Sequence, residues 1–203
     1  LITSSAASDV YKRQDFNVPL ADDGAGGRVI TDTGRIEAAL PTIEYLRDHG
    51  ARVLLLAHLG RPKGVVTPEA SLAPVAHELS RLLSIDVPIA VDVAQARDEL
   101  SRAADGGVVV FDNIRFDARE TSKDPAERAK LARELADLGD FFVSDGFGVV
   151  HREQASVTEL ASLLPHAAGR LVERESAVFS QLLGQTDRPY VVILGGSKVS
   201  DKL

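Results

Sequence analysis

Val53-Leu54-Leu55-Leu56-Ala57-His58-Leu59-Gly60-Arg61-Pro62-Lys63 is the stretch that decides the fold: five apolar residues in a row, then a glycine turn carrying a histidine, an arginine and a lysine. A short aliphatic run without alternation suits a strand covered on both faces. The same grammar recurs to either side. Val87 to Val91, Val108 to Phe111, Phe141 to Ser144 and Tyr190 to Leu194 read as further strands. Between them, apolar residues return every three or four positions, as a helix requires. Ile36, Leu40, Ile43 and Leu46 form one such stripe, closed by Gly50; Leu72, Val75, Ala76, Leu79 and Leu82 form a second behind Ser71. Asp124 and Pro125 open a third, with Ala129, Leu131, Leu135 and Leu138 inward, and Val172 to Leu183 is a fourth, ended by Gly184. Asp22 to Gly27 reads as a flexible glycine-rich loop. The fold class that follows is α/β, a Rossmann-like doubly wound parallel sheet flanked by helices.

Composition narrows the function. The 203 residues are 44% hydrophobic, enough for a sizeable core. With 23 Lys and Arg against 30 Asp and Glu, the net charge of -7 disfavours nucleic acid and anionic membranes as partners. An anionic ligand would have to be caught by a local cluster. Zero Cys excludes disulfides, thiolate metal sites and Cys nucleophiles, and fits a reducing cytoplasm. No apolar run approaches the roughly 18 residues of a membrane span, and the first residues lack the apolar core of a signal peptide. Zero Met, in a chain that opens Leu1-Ile2-Thr3 and stops at Lys202-Leu203 just after a glycine turn, gives the expectation that both ends are cut.

In open parallel sheets, ligands sit outside the carboxyl ends of the strands. Three successive strand ends here each deliver an arginine: Arg61, Arg115 within Asn113-Ile114-Arg115, and Arg152 after Asp145-Gly146-Phe147-Gly148 and His151. One arginine after one strand is ordinarily a solvated loop charge. Three on one sheet edge repel one another unless an anion neutralises them, and planar guanidinium forks match phosphate and carboxylate oxygens. His58 and His151 read equally as satisfied polar residues or as further cations. Asp15 and Asn17, in Asp15-Phe16-Asn17-Val18-Pro19, could bond neighbouring backbone or a ligand hydroxyl. Gly195-Gly196-Ser197-Lys198 is a plausible phosphate cradle, too short for a Walker A loop.

Taken in order, these segments resemble phosphoglycerate kinases. The matching pieces are DFNVPL at Asp15 to Leu20, ITDTGRI at Ile30 to Ile36, HLGRPKG at His58 to Gly64, NIRF at Asn113 to Phe116, SDGFGVVHR at Ser144 to Arg152, LPHAAG at Leu164 to Gly169, and GGSKVSDKL at Gly195 to Leu203. The resemblance implies reversible phosphoryl transfer between 1,3-bisphosphoglycerate and ADP, giving 3-phosphoglycerate and ATP, by a monomeric cytoplasmic enzyme of glycolysis. It implies substrate contacts from Asp15, Phe16, Asn17, Arg35, His58, Leu59, Gly60, Arg61, Arg115, His151 and Arg152, with both histidines completing a basic wall. Arg35 and Lys202 would stabilise the phosphoryl group in flight. Gly195, Gly196, Ser197, Lys198 and Lys202 would reach ATP or ADP, whose Mg2+ is held mainly by a second domain. No metal ligand is expected in this chain.

The resemblance also divides the chain. Residues 15–171 would be the phosphoglycerate-binding domain, 172–188 an interdomain helix and hinge, and 189–203 the truncated start of the nucleotide-binding α/β domain. Before Asp15 the family has an apolar strand, whereas this chain reads Ser4-Ser5-Ala6-Ala7-Ser8-Asp9-Val10-Tyr11-Lys12-Arg13-Gln14, which resembles a translated sequencing adapter. Residues 1–14 are therefore expected to be a foreign leader and the first strand poorly formed. On this reading the chain alone is inactive as a kinase. Two other readings compete: a non-catalytic module binding a phosphorylated metabolite, and a nicotinamide oxidoreductase. The second lacks a G-x-G-x-x-G after the first strand and an acidic ribose residue.

Overall fold

The computed structural model describes residues 8–22, 24, 27–184, 188–191 and 193. Along the chain run β1 (Asp9–Arg13), β2 (Leu20–Asp22), β3 (Arg28–Ile30), α1 (Gly34–Asp48), β4 (Arg52–Leu56), α2 (Ala73–Leu83), β5 (Ile89–Ala90) and α3 (Val93–Arg102). Then follow β6 (Val108–Phe111), α4 (Pro125–Ala136), β7 (Phe141–Ser144), α5 (Leu160–Leu163), β8 (His166–Ala168) and α6 (Arg170–Leu183). Six strands form one sheet in the order β5-β6-β4-β1-β7-β8, every neighbouring pair parallel. β2 and β3 make a separate antiparallel ribbon that flanks the glycine-rich loop. The chain leaves β1 for β4 on one side and later returns to β7 on the other, so the order reverses at β1. That reversal opens a crevice at the carboxyl ends of the strands around β1.

Alternation along the strands fills two core layers. Val53 and Leu55 of β4 pack with Val108 and Val110 of β6 against α1 and α2, through Ile36, Ile43, Val75 and Leu79. Leu54 and Leu56 turn to the other face with Val109 and Phe111, meeting Leu100 of α3 and Leu131 and Leu135 of α4. Each such aliphatic side chain contributes about 1.5–3 kcal/mol relative to exposure. Helix starts follow local chemistry: Asp92 accepts from the Gln95 N–H at 2.8 Å to cap α3, and Asp124 accepts from Ala126 N–H at 2.8 Å with Pro125 at the first helical position of α4.

Two strand expectations need correcting. The first strand is not poorly formed: Asp9–Arg13 lies at the centre of the sheet, paired with β4 and β7, and its Val10 to Arg13 are buried. Residues 9–14 are thus integral to the fold, while residues 1–7 lie outside the described ones. Buried Lys12 is tolerated because its ammonium sits 2.9 Å from the Asp145 carboxylate and donates to Gln14 Oε1 at 2.8 Å, both partners buried. The expected strand Val87 to Val91 shrinks to Ile89–Ala90, since Pro88 has no N–H and β5 is a sheet edge. Of the expected strand Tyr190 to Leu194, Tyr190, Val191 and Ile193 are exposed and show no strand pairing among the described residues; Val192 and Leu194 lie outside the described residues.

Asp145 also anchors the last helix. Its Oδ1 accepts from the backbone N–H of Leu171 at 2.9 Å and of Val172 at 3.4 Å, in the first turn of α6. Gly169 makes this approach possible, for a Cβ there would stand 2.3 Å from the Asp145 carboxyl carbon. α6 buries no residue fully; the Arg170 guanidinium lies 4.8 Å from the Tyr45 ring centroid and Phe179 stacks on Phe147 at 5.7 Å.

A candidate anion site at the carboxyl edge of the sheet

The turn after β4 is fixed from three sides. Asn17 Oδ1, beyond β1, accepts from the Gly60 N–H at 2.9 Å, and the Gly60 carbonyl accepts from Arg115 Nη1 at 2.9 Å. Buried Asn113, beyond β6, donates to the carbonyls of Leu59 and Ala70 at 2.7 Å each and accepts from Arg115 N–H at 3.2 Å. Gly60 stands at φ +62° in open space, a left-handed conformation that costs a side-chain-bearing residue energy. Both residues beyond β1 make bonds within the chain. Asn17 serves backbone, and Asp15 accepts from its own Asn17 N–H at 3.0 Å while its other oxygen pairs with Arg35 at the start of α1.

This scaffold brings the three expected arginines together. Arg61, Arg115 and Arg152 line one cleft of about 440 Å3, joined by Lys63, Thr121, Glu153 and Gln154. None of the four cations has a carboxylate partner among the described residues. Their crowding is electrostatically visible: burial first, then Arg152 and Arg61, push the Arg115 guanidinium below its ordinary range. The Arg115 Nε is buried with no hydrogen-bond partner. A compact anion would supply the missing acceptors and offset the repulsion.

Other expected residues fall elsewhere. Phe16 and Leu59 are core side chains, 0% and 6% exposed, so any ligand contact would come from their backbone. His151 is exposed and is not among the residues lining the cleft. His58 is buried, and burial, then Arg13 and Arg115, drive its pKa down to about 3. It is neutral and adds no charge to the basic wall, a correction to the expectation for it. Gly195, Gly196, Ser197, Lys198 and Lys202 lie outside the described residues.

The neutral His58 makes stability pH-dependent. The unfolded imidazole titrates near 6.5 and the folded one near 3, so between these values only the unfolded chain takes the proton. Its contribution is intact above about pH 6.5 and is lost as pH falls, by up to about 1.4 kcal/mol per unit. Urea denaturation from pH 6.5 to 4.5 should show a shallower pH slope in His58→Gln than in the unaltered chain. An unchanged slope would mean that His58 is protonated in the folded state.

Sequence reasoning missed a buried layer beneath the cleft. Arg13, 1% exposed at the end of β1, donates from Nε to Ser156 Oγ at 2.9 Å, and its Nη2 lies 3.5 Å from His58 Nδ1. Ser156 in turn donates from Oγ and N to the two carboxylate oxygens of Glu120 at 2.7 and 2.9 Å. Arg13 had a signal, its place at a strand end two residues before Asp15, obscured by treating those residues as foreign. Lys63 stood in the quoted turn without a role. Glu120 and Ser156 offered none, since a contact across 36 residues leaves no local pattern.

Comparisons with known proteins agree with one another. A family model described as phosphoglycerate kinase matches residues 4–203. Phosphoglycerate kinases of Bifidobacterium adolescentis and Mycobacterium avium are 56% and 58% identical over 196 and 200 residues, covering 96% of this chain and 48% of each relative. Among solved structures, phosphoglycerate kinase from Coxiella burnetii matches at TM-score 0.79 and 37% identity over 97% of this chain and 47% of its own. The Pyrococcus horikoshii enzyme matches at 0.83 and 32%, over 96% and 47%. The chain spans about half the length of the curated relatives it matches.

Proposed function

Because the chain belongs to the phosphoglycerate kinase family, we propose that its arginine cleft is the 3-phosphoglycerate site of an enzyme that exchanges a phosphoryl group between 1,3-bisphosphoglycerate and ADP. The carrying observation is the set of three guanidinium groups, without carboxylate partners among the described residues, lining one cleft at strand ends. Arg61, Arg115 and Arg152 grip the 3-phosphate, with Lys63 beside them. Asp15 and Asn17 hold the glycerate end through the turn they stabilise. Arg35, tethered to Asp15, is assigned to the opposite end of the substrate, as the cation that meets the carboxyl group and the phosphoryl group being passed.

Such a transfer needs positioning and charge neutralisation more than covalent help. A carboxylate oxygen attacks phosphorus as the nucleotide oxygen leaves, and no general base is required. The family's nucleotide, ATP or ADP with Mg2+, supplies or accepts the phosphoryl group. Among the described residues there is no group of three or more acidic or histidine side chains placed to hold a metal ion. Gly195 to Lys198 and Lys202 are assigned to the nucleotide phosphates. In this reading residues 15–171, together with β1 at the centre of their sheet, form the substrate domain, 172–188 the connection, and 189–203 the start of the nucleotide-binding part. The enzyme acts as a monomer in the cytoplasm, without nucleic-acid or membrane partners; no helix among the described residues is long and apolar enough to cross a membrane.

Titration calorimetry of this chain with 3-phosphoglycerate should give weak binding that falls as salt rises from 50 to 200 mM. A coupled assay with ATP should show no turnover by the chain alone. Absence of binding, or affinity that Arg61→Ala leaves untouched, would refute the site; ATP-dependent turnover would refute the assignment of the nucleotide site.

A further inference from the structure

Arg115 and Arg152 follow β6 and β7, and β4 and β1 lie between those strands in the sheet. Three inter-strand spacings separate their origins, roughly 14 Å. Both side chains nonetheless line one cleft, so the loops that carry them must be held in register by something other than the sheet ladder. The connection that spans both loops is a buried one. Glu120 stands five residues after Arg115 and is fully buried; Ser156 stands four residues after Arg152 and is also fully buried. They meet through both carboxylate oxygens, and their neighbours Thr121 and Gln154 line the cleft itself. Arg13 closes the link from β1 by donating to the same serine oxygen.

We propose that Glu120 is a positioning residue for the anion site, a buried brace that ties the Arg115 loop to the Arg152 loop through Ser156 and sets the spacing of the two guanidinium groups. This rests on the reading of the cleft as the 3-phosphoglycerate site. Two features of the geometry support a positioning role beyond general stability. The bond joins the two arginine-bearing loops to each other, whereas Arg119, the residue before Glu120, makes its own ion pairs with Asp117 and Glu134 away from the cleft. The brace is also coupled to the cations: burial raises the Glu120 carboxyl pKa, while Arg13 first and then Arg115 pull it back down.

Glu120→Gln keeps the shape but turns one acceptor into a donor, which then faces the Ser156 N–H or hydroxyl. In the folded variant, affinity for 3-phosphoglycerate measured by calorimetry should fall tenfold or more. A merely structural residue would produce a similar drop whatever Arg152 is, so the deciding measurement is a cycle with Arg152→Lys, which keeps charge but loses the planar fork. The effect of Glu120→Gln should shrink to at most about threefold in the Arg152→Lys background. Equal effects in both backgrounds, or no effect of Glu120→Gln, would overturn the brace while leaving the site reading intact. Failure of the unaltered chain to bind 3-phosphoglycerate would overturn both. If Glu120→Gln does not fold, the same cycle is run with Ser156→Ala, which removes the shared hydroxyl and keeps the backbone bond to Glu120; a several-fold loss confined to the Arg152 background is then the supporting result, and an additive one the refuting result.

Discussion

Asp145→Asn is expected to lower the folding stability of this chain by about 3–5 kcal/mol, the cost of leaving a buried ammonium without its counter-charge. Asp145 and Lys12 are both fully buried and 2.9 Å apart. Burial presses the Lys12 ammonium down to about 8 even with Asp145 opposing it. The asparagine would keep an acceptor for the Leu171 N–H but lose the charge that favours the amino terminus of α6. Urea unfolding followed by circular dichroism measures the loss, and a change under about 1 kcal/mol would show that Lys12 does not depend on this carboxylate. The unaltered chain should itself gain stability between pH 8 and 10. A lysine whose folded pKa lies below its unfolded value of about 10.4 favours the folded state increasingly as pH rises through that window.

The second large effect falls on binding and spares the fold. Arg152→Ala should weaken 3-phosphoglycerate by about 3 kcal/mol, roughly a hundredfold, because it removes charge-assisted bonds to a phosphate in a site with no other counter-ion for that guanidinium. Arg152 is exposed and makes no ion pair among the described residues, and it is a leading cause of the downward push on Arg115. Deleting it therefore relieves repulsion in the empty cleft. The ligand-free melting temperature should hold or rise while affinity collapses, the signature of a residue kept for function at the expense of stability. Parallel losses of affinity and melting temperature would instead mark Arg152 as a structural residue.

How much of this was legible depended on how local the physics was. β4, β6 and β7 were readable because doubly covered strands are written as unbroken apolar runs, and Arg61, Arg115 and Arg152 because a residue just past such a run lands at the ligand edge. β1 was misread because Lys12 and Arg13 interrupt its apolar pattern. Their tolerance rests on Asp145 and on Ser156 with Glu120, more than a hundred residues away. β8 escaped notice since all three of its residues are exposed and only the backbone ladder to β7 holds it. α3 shows just two buried positions, Ala96 and Leu100, too few for a stripe. In the site, the cations were legible and the carboxylate beneath them was not, because charge attracts attention in a turn and a buried brace looks like any other loop residue. The oxidoreductase alternative fell with the family match.

The central position of β1 bears on how the chain is made. Val10 pairs with Val53 and with Phe141, so the middle of the sheet is bracketed on its second side only after 131 more residues have been synthesised. At about 5–20 residues per second, that interval is roughly 7–26 s. Throughout it, the hydrogen-bonding edge of β1 that will receive β7 is open, and Lys12 has no carboxylate waiting for it. Closing so long a loop carries an entropic cost that is met before any contact of β7 rewards it, which places the docking of β7 late and makes it slow. Until the other half of the sheet arrives, an open strand edge of this kind is a template for pairing with another chain.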